Sequence, residues 1–332
     1  MKTSIVGTVA IIAIVLAAFV TYLVYDDNGG REVTDTDYIV RDYAVVGDYI
    51  DLDVEMEVVA SADYTGEDKD SVLYTLYNCY GDYVGTQDYV YKGTTISCDK
   101  YEYVYESVRM VYLIDPSSGV VYYSESDYGG LFNTTALTDS NLDLTKTFDD
   151  QEISVGSFTE YDGSTTIRLY GMAFFMEGTS KVTVTNAVAG GEEVYYDVVS
   201  EYELKGAAQL VMEVEAVNSD GTLKIKGNEE PVSQEQFFSL ISYTKFVKSL
   251  EEQGAVLTDV KNTVIKRDTV FGLREVNVQT AKLLLNEQEI QAGFAYGNAD
   301  VLYGVHLFEQ TDKGYTVEDL DLNGSSLISV KN

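Results

Sequence analysis

Few residues in this 332-residue sequence combine a type and a spacing that could do chemistry. Its one histidine, His306, sits in Val305-His306-Leu307-Phe308, and any triad with a histidine base would have to use it. The apolar neighbours instead suit a strand. Ser242-Tyr243-Thr244-Lys245 spells S-x-x-K, which on a helix brings the lysine amine near a serine hydroxyl one turn away, and Tyr296-Gly297-Asn298 adds a Y-x-N. Ser97-Cys98-Asp99-Lys100 spells the same motif, however, and no K-[ST]-G follows to complete a serine–lysine site. Asp319-x-Asp321-x-Asn323-Gly324 begins like a calcium-binding loop, but its twelfth position is Val330, where a bidentate glutamate is required.

Asp51, Asp53, Glu55 and Glu57 alternate with Ile50, Leu52, Val54, Met56 and Val58, so a strand here would have one acidic and one apolar face. Successive carboxylates on one face lie about 7 Å apart, too far for one strand to chelate a cation alone. They are a weak candidate Ca2+ site that a neighbouring strand would have to complete. Cys79 and Cys98 are the only cysteines and the expected disulfide pair, and no other cofactor is expected.

The net charge of -33, from 55 acids against 22 bases, excludes a general nucleic-acid binder. No Walker A, dinucleotide-binding or D-[ST]-G pattern occurs, and a catalytic role is not expected. A carboxylate-dependent hydrolase stays open, because acids are plentiful and their pairing is spatial.

Tyrosine is the most informative residue. Of the 28, 17 fall between Tyr38 and Tyr128. Tyr74, Tyr77, Tyr80, Tyr83, Tyr89, Tyr91, Tyr101, Tyr103 and Tyr105 form the candidate binding face, because tyrosine offers rigid amphipathic contact area suited to an extracellular protein or glycan. Cross-strand packing would use the same residues.

The elements that must position these residues read as follows. Ile5–Tyr25 carries no charge and is long enough to span a bilayer; Lys2 precedes it, and Asp26 and Asp27 follow. The expectation is an uncleaved signal anchor (1–25) with a cytoplasmic N-terminus, holding the chain to the cell membrane with the remainder outside. A linker (26–37) leads to a Tyr-rich all-β module (38–130), a second linker (131–150) and a second β module (151–332). Apolar residues make up 45% of the chain, enough for real cores. Strand-like runs at Ser71–Cys79, Asp88–Cys98, Tyr101–Asp115 and Gly119–Glu125 predict antiparallel β-sheet, as a sandwich or curved sheet. Ser233 and Gln236 form a capping box, and apolar spacing from Phe237 to Leu250 before Gly254 predicts one inserted amphipathic helix over 234–253.

Two short echoes suggest a duplication: Val46-Gly47-Asp48-Tyr49 with Val155-Gly156-Ser157-Phe158, and Val120-Val121-Tyr122-Tyr123 with Val301-Leu302-Tyr303-Gly304. The expected function is a non-catalytic binding or structural role at the cell surface or envelope. An anchored carrier of lipid or another hydrophobic ligand and the carboxylate hydrolase are the alternatives.

Overall fold

The computed structural model describes residues 38–169, 172–228, 230–285 and 288–330. The expected signal anchor and first linker lie outside them. Among the described residues no helix is long and apolar enough to cross a membrane. Strand accounts for 67% and helix for 10%, so the chain is mainly β with antiparallel sheets, as the sequence predicts.

The chain begins with β1 (Tyr38–Val40), β2 (Tyr49–Glu67), α1 (Lys69–Tyr77), β3 (Asp82–Tyr91), β4 (Thr94–Tyr105) and β5 (Val108–Ile114). It continues through β6 (Val121–Tyr128), β7 (Leu131–Ser140), β8 (Phe158–Leu169), β9 (Met172–Gly190), β10 (Glu193–Val217) and β11 (Leu223–Ile225). Then come α2 (Gln234–Ser239), α3 (Tyr243–Glu252), β12 (Val256–Thr269), β13 (Gly272–Leu285) and β14 (Gln288–Tyr296). The last strands are β15 (Leu302–Thr311), β16 (Gly314–Ser325) and β17 (Ile328–Val330). The stretch 131–150, expected as a linker, therefore contains β7.

Three expectations about elements are corrected. Ser71–Cys79 is not a strand: the Asp68 carboxylate accepts from the Ser71 N–H at 2.7 Å, and α1 buries Leu73 and Leu76, three residues apart. Asp88–Cys98 and Tyr101–Asp115 are not single runs, because turns at Lys92-Gly93 and Glu106-Ser107 fold them into hairpins. The single helix over 234–253 is two helices. The Ser233–Gln236 capping box forms as predicted, but Ser242 leaves the helix to bridge Val301 and then caps α3 through its hydroxyl. The Ile241 carbonyl accepts from the Leu302 N–H at 2.9 Å, a bond that a continuous helix could not make.

Described residues divide into two compact units, one built from the residues up to Met56, Leu169–Met172 and those from Ala207 onward, the other from Glu57–Arg168 and Ala173–Gly206. They interleave along the chain, so no single sequence boundary separates them. Each has its own core. In unit 1, one cluster gathers Phe237 and Ile241 with Met212 and Ile225, and another gathers Phe246, Leu250, Leu283 and Phe294. In unit 2, Leu76, Cys98, Leu113, Tyr122 and Tyr161 pack together.

The units repeat one plan. The strands of unit 1 run in the order β12-β13-β14-β15-β16, the part of β2 up to Met56 and the part of β10 from Ala207; those of unit 2 include β3-β4-β5-β6-β7-β8-β9 in that order, with the remaining parts of β2 and β10 also in unit 2. A helix precedes the first hairpin in each, α3 in one and α1 in the other. Both sequence echoes fall at equivalent places. Val120 and Val301, each fully buried, lead into the fourth strand. Gly47 and Gly156 sit at φ 89° and 86° in the turn before the sixth strand, a backbone shape that favours glycine. Gly47 N–H donates to the Val214 carbonyl at 2.9 Å and Gly156 N–H to the Val184 carbonyl at 2.8 Å. Val214 and Val184 donate back to the carbonyls of Asp48 and Ser157. The two units thus share a strand order and a turn, with one difference in connection: the sixth strand precedes the first five along the chain in unit 1 and follows the fifth in unit 2.

Candidate binding face

Cross-strand pairing lines up the side chains of unit 2. Directly paired residues share a face, and neighbours along a strand alternate. One row runs Tyr83, Tyr101, Tyr112, Ser124, Thr135 and Gly163 from β3 to β8. The next runs Tyr103, Met110, Ser126, Asn133 and Thr165, and a third runs Tyr105, Val108 and Tyr128. Tyr83 and Tyr101 meet edge to face at 6.0 Å, and Thr165 donates its hydroxyl to the Asn133 side chain at 2.9 Å. Four of these rings stand open to solvent: Tyr105 is 60% exposed, Tyr83 55%, Tyr128 47% and Tyr103 38%. Tyr112 anchors the centre, buried beside Ile114, Val121 and Cys79, and burial pushes its phenol up to about 12.

The three rows hold no charged residue. The other face of the same strands is different in kind. On the opposite face of the same strands stand Lys100, Glu102, Arg109, Glu125, Asp127 and Asp162, with Arg109 bridging Glu102 and Glu125. Counted from the echoed Val120 and Val301, the row of unit 1 that matches the first is Asn262, Gln279, Phe294, Val305 and Leu320, and the next is Ala281, Ala292, Leu307 and Glu318. From Phe294 onward these positions are buried core, whereas unit 2 leaves four tyrosine rings open at the matching rows.

Tyrosines selected from the sequence divide between two faces. Tyr83, Tyr101, Tyr103 and Tyr105 come together as expected. Tyr74 and Tyr80 join them near Tyr112, their hydroxyls 2.7 Å apart. Tyr89 and Tyr91 do not: a bulge between Tyr83 and Gly85 inverts the alternation, and both rings pack inward on Tyr122, at 5.8 and 5.2 Å. Tyr77 also turns inward, donating its hydroxyl to the Lys146 carbonyl at 3.0 Å. Met110, Ser124, Ser126, Asn133 and Tyr128 were missed. Their signal is a run of uncharged residues at alternate positions, visible only once the pairing is known.

The other candidates resolve individually. Asp51 accepts from the amides of Gln209 and Asn323 at 2.9 and 3.1 Å, and Glu57 pairs with Lys205 at 3.0 Å. Asp53 and Glu55 are exposed. Among the described residues no three acids, cysteines or histidines converge as a metal site. Ser242 caps α3 and donates to Asp300, which also accepts from Thr244, while the Lys245 amine lies 4.9 Å from the Phe238 ring centroid. Tyr296 stacks on Tyr243 at 3.9 Å, so the Y-x-N tyrosine is a packing residue. Asp319 pairs with His306 at 2.7 Å, Arg267 pairs with Asp321, and Asn323 bonds Asp51, so these side chains are engaged along an open strand.

The expected Cys79–Cys98 bond is not formed. Cys98 shares the inner face with Leu113, whereas Cys79 packs against Tyr112 and Ile114 on the other side of the sheet. Burial pushes both thiols up to about 11, which keeps them protonated and slow to react. The expected result is an intact mass unchanged by reductant, with alkylation of both thiols only after unfolding; a shift of two hydrogens on reduction would contradict this placement.

No protein-family profile matches the chain, and no curated protein or solved structure is detectably similar to it.

Proposed function

We propose that this protein is an anchored, exported component of the cell surface or envelope with a non-catalytic binding role, and that the tyrosine face of unit 2 is where it binds. One observation carries the reading: a chain of net charge -33 keeps three adjacent rows of a sheet face free of charge and places exposed tyrosine on them, where the matching rows of unit 1 are mostly buried core. Solubility favours charged surface residues, so exposed rings here are a cost that ligand contact would offset. The uncharged Ile5–Tyr25 stretch supports anchoring, and the acids after it support an external location for the rest.

The alternatives have less support. An apolar void beside Leu52, Leu240, Phe246 and Tyr303 has room for little more than a water molecule, far short of an acyl chain. Of the acids singled out for chemistry, Asp51 is held by amides, Glu57 by a lysine, Asp321 by an arginine and Asp319 by His306, while Asp53 and Glu55 stand exposed on an open strand.

Enzymatic iodination of intact cells with an impermeant peroxidase tests both halves. Tyr43 and Tyr49 of unit 1, 55% and 40% exposed, should label on cells, whereas Tyr83, Tyr103 and Tyr105 should be protected there and label freely on the purified chain. Absence of labelling on cells would overturn the external location. Equal labelling of both sets would overturn the binding face.

A further inference from the structure

We infer that the ligand of this face is a neutral polysaccharide, lying across the strands and contacting several sugars at once. The inference rests on the binding-face reading above and narrows it. Charge makes the first selection. An anionic polymer would meet no Lys or Arg in these rows and would approach a chain of net charge -33; a cationic partner would meet no carboxylate there. An uncharged ligand meets neither penalty.

Side-chain chemistry makes the second selection. A purely apolar partner would bury phenol, hydroxyl and amide groups without giving them hydrogen bonds, a cost of roughly 1–3 kcal/mol for each group left unpaired. A sugar ring presents an apolar C–H face and a rim of hydroxyls. Tyr103 and Tyr105 offer open aromatic surface for the first, and Ser126, Asn133 and Thr165 offer donors and acceptors for the second. The row from Tyr103 to Thr165 crosses five strands, about 19 Å at 4.8 Å per step. That length suits a chain of sugars better than a single terminal residue.

The test is affinity electrophoresis of the full-length protein in native gels containing hydroxyethyl cellulose, galactomannan or xyloglucan, with polygalacturonate as the anionic comparison. Retardation by at least one neutral polymer and not by polygalacturonate is expected. A Tyr103→Ser/Tyr105→Ser double variant, checked for an unchanged melting temperature, should bind at least about tenfold more weakly, while Tyr43→Ser should bind normally. Failure of all three neutral polymers, or stronger retardation by polygalacturonate, overturns the ligand assignment; persisting protection of Tyr103 and Tyr105 on cells would then leave the face itself standing. Retardation that the double variant does not change overturns the face along with the assignment.

Discussion

Replacing Glu318 with methionine is expected to stabilise unit 1 at neutral pH by about 3 kcal/mol and to remove much of a decline in stability that the native chain shows as pH rises. Glu318 lies on the inner face of β16, 2% exposed, opposite Leu307 and two residues from Leu320. One of its oxygens has no hydrogen-bond partner. Burial, with a smaller contribution from Glu309 on the neighbouring strand, pushes the carboxyl from 4.5 up to about 8. Burial alone raises Glu309 as well.

The folded state therefore prefers the neutral acid. Below 4.5 both folded and unfolded chains hold the proton, and stability from this group is complete. Between 4.5 and 8 the unfolded chain releases the proton and the folded chain does not, so stability falls by about 1.4 kcal/mol per pH unit. The accumulated loss is about 3 kcal/mol at pH 7 and about 5 above pH 8. Methionine fills a similar volume without a charge. Denaturant melts of both proteins at pH 4.5 and pH 8 check this. A gap that widens with pH is expected, and parallel pH profiles would contradict it.

Phe294→Ala is expected to cost about 3–5 kcal/mol. The ring is fully buried and meets Tyr243 and Phe246 of α3 at centroid distances of 6.0 and 6.1 Å, so it joins the helix to β14. Truncation leaves a hole that the surrounding strands cannot close without breaking their ladders. Because the cores of the two units are separate clusters, the loss should be local. Amides of β13 to β15 should lose hydrogen-exchange protection, while those of β4 to β6 in unit 2 keep theirs. A stability loss under 1 kcal/mol, or equal loss of protection in both units, would contradict that separation.

How far the sequence reveals this structure depends on whether the signal is local. The alternation from Ile50 to Val58 is local, and Ile50, Leu52, Met56 and Val58 are buried as it predicts. The Ser233–Gln236 box is equally local and forms. The two echoes mark matching places in the two units because a left-handed glycine turn and a buried strand start each need particular residues in a short window. The helix α1 was hidden because Val72, Tyr74, Thr75 and Tyr77 favour strands, and the cap and the Leu73–Leu76 spacing outweigh them. Division of the tyrosines between faces was hidden because one extra residue near Tyr83 inverts every side chain beyond it. Glu318 was hidden as well: flanked by Val317 and Asp319, nothing local shows which way it points.

The most direct test of the binding face compares it with the other face of the same strand. Tyr103 and Tyr105 point to one side of β4, and Val104 between them, 65% exposed, points to the other. Equilibrium binding of the full-length variants Tyr103→Ser/Tyr105→Ser and Val104→Ser would be measured on cell-envelope preparations from the organism that makes the protein. At least about a tenfold loss for the tyrosine variant, with native binding by Val104→Ser, is the expected result. Equal binding by the two variants would contradict the assignment of the tyrosine face.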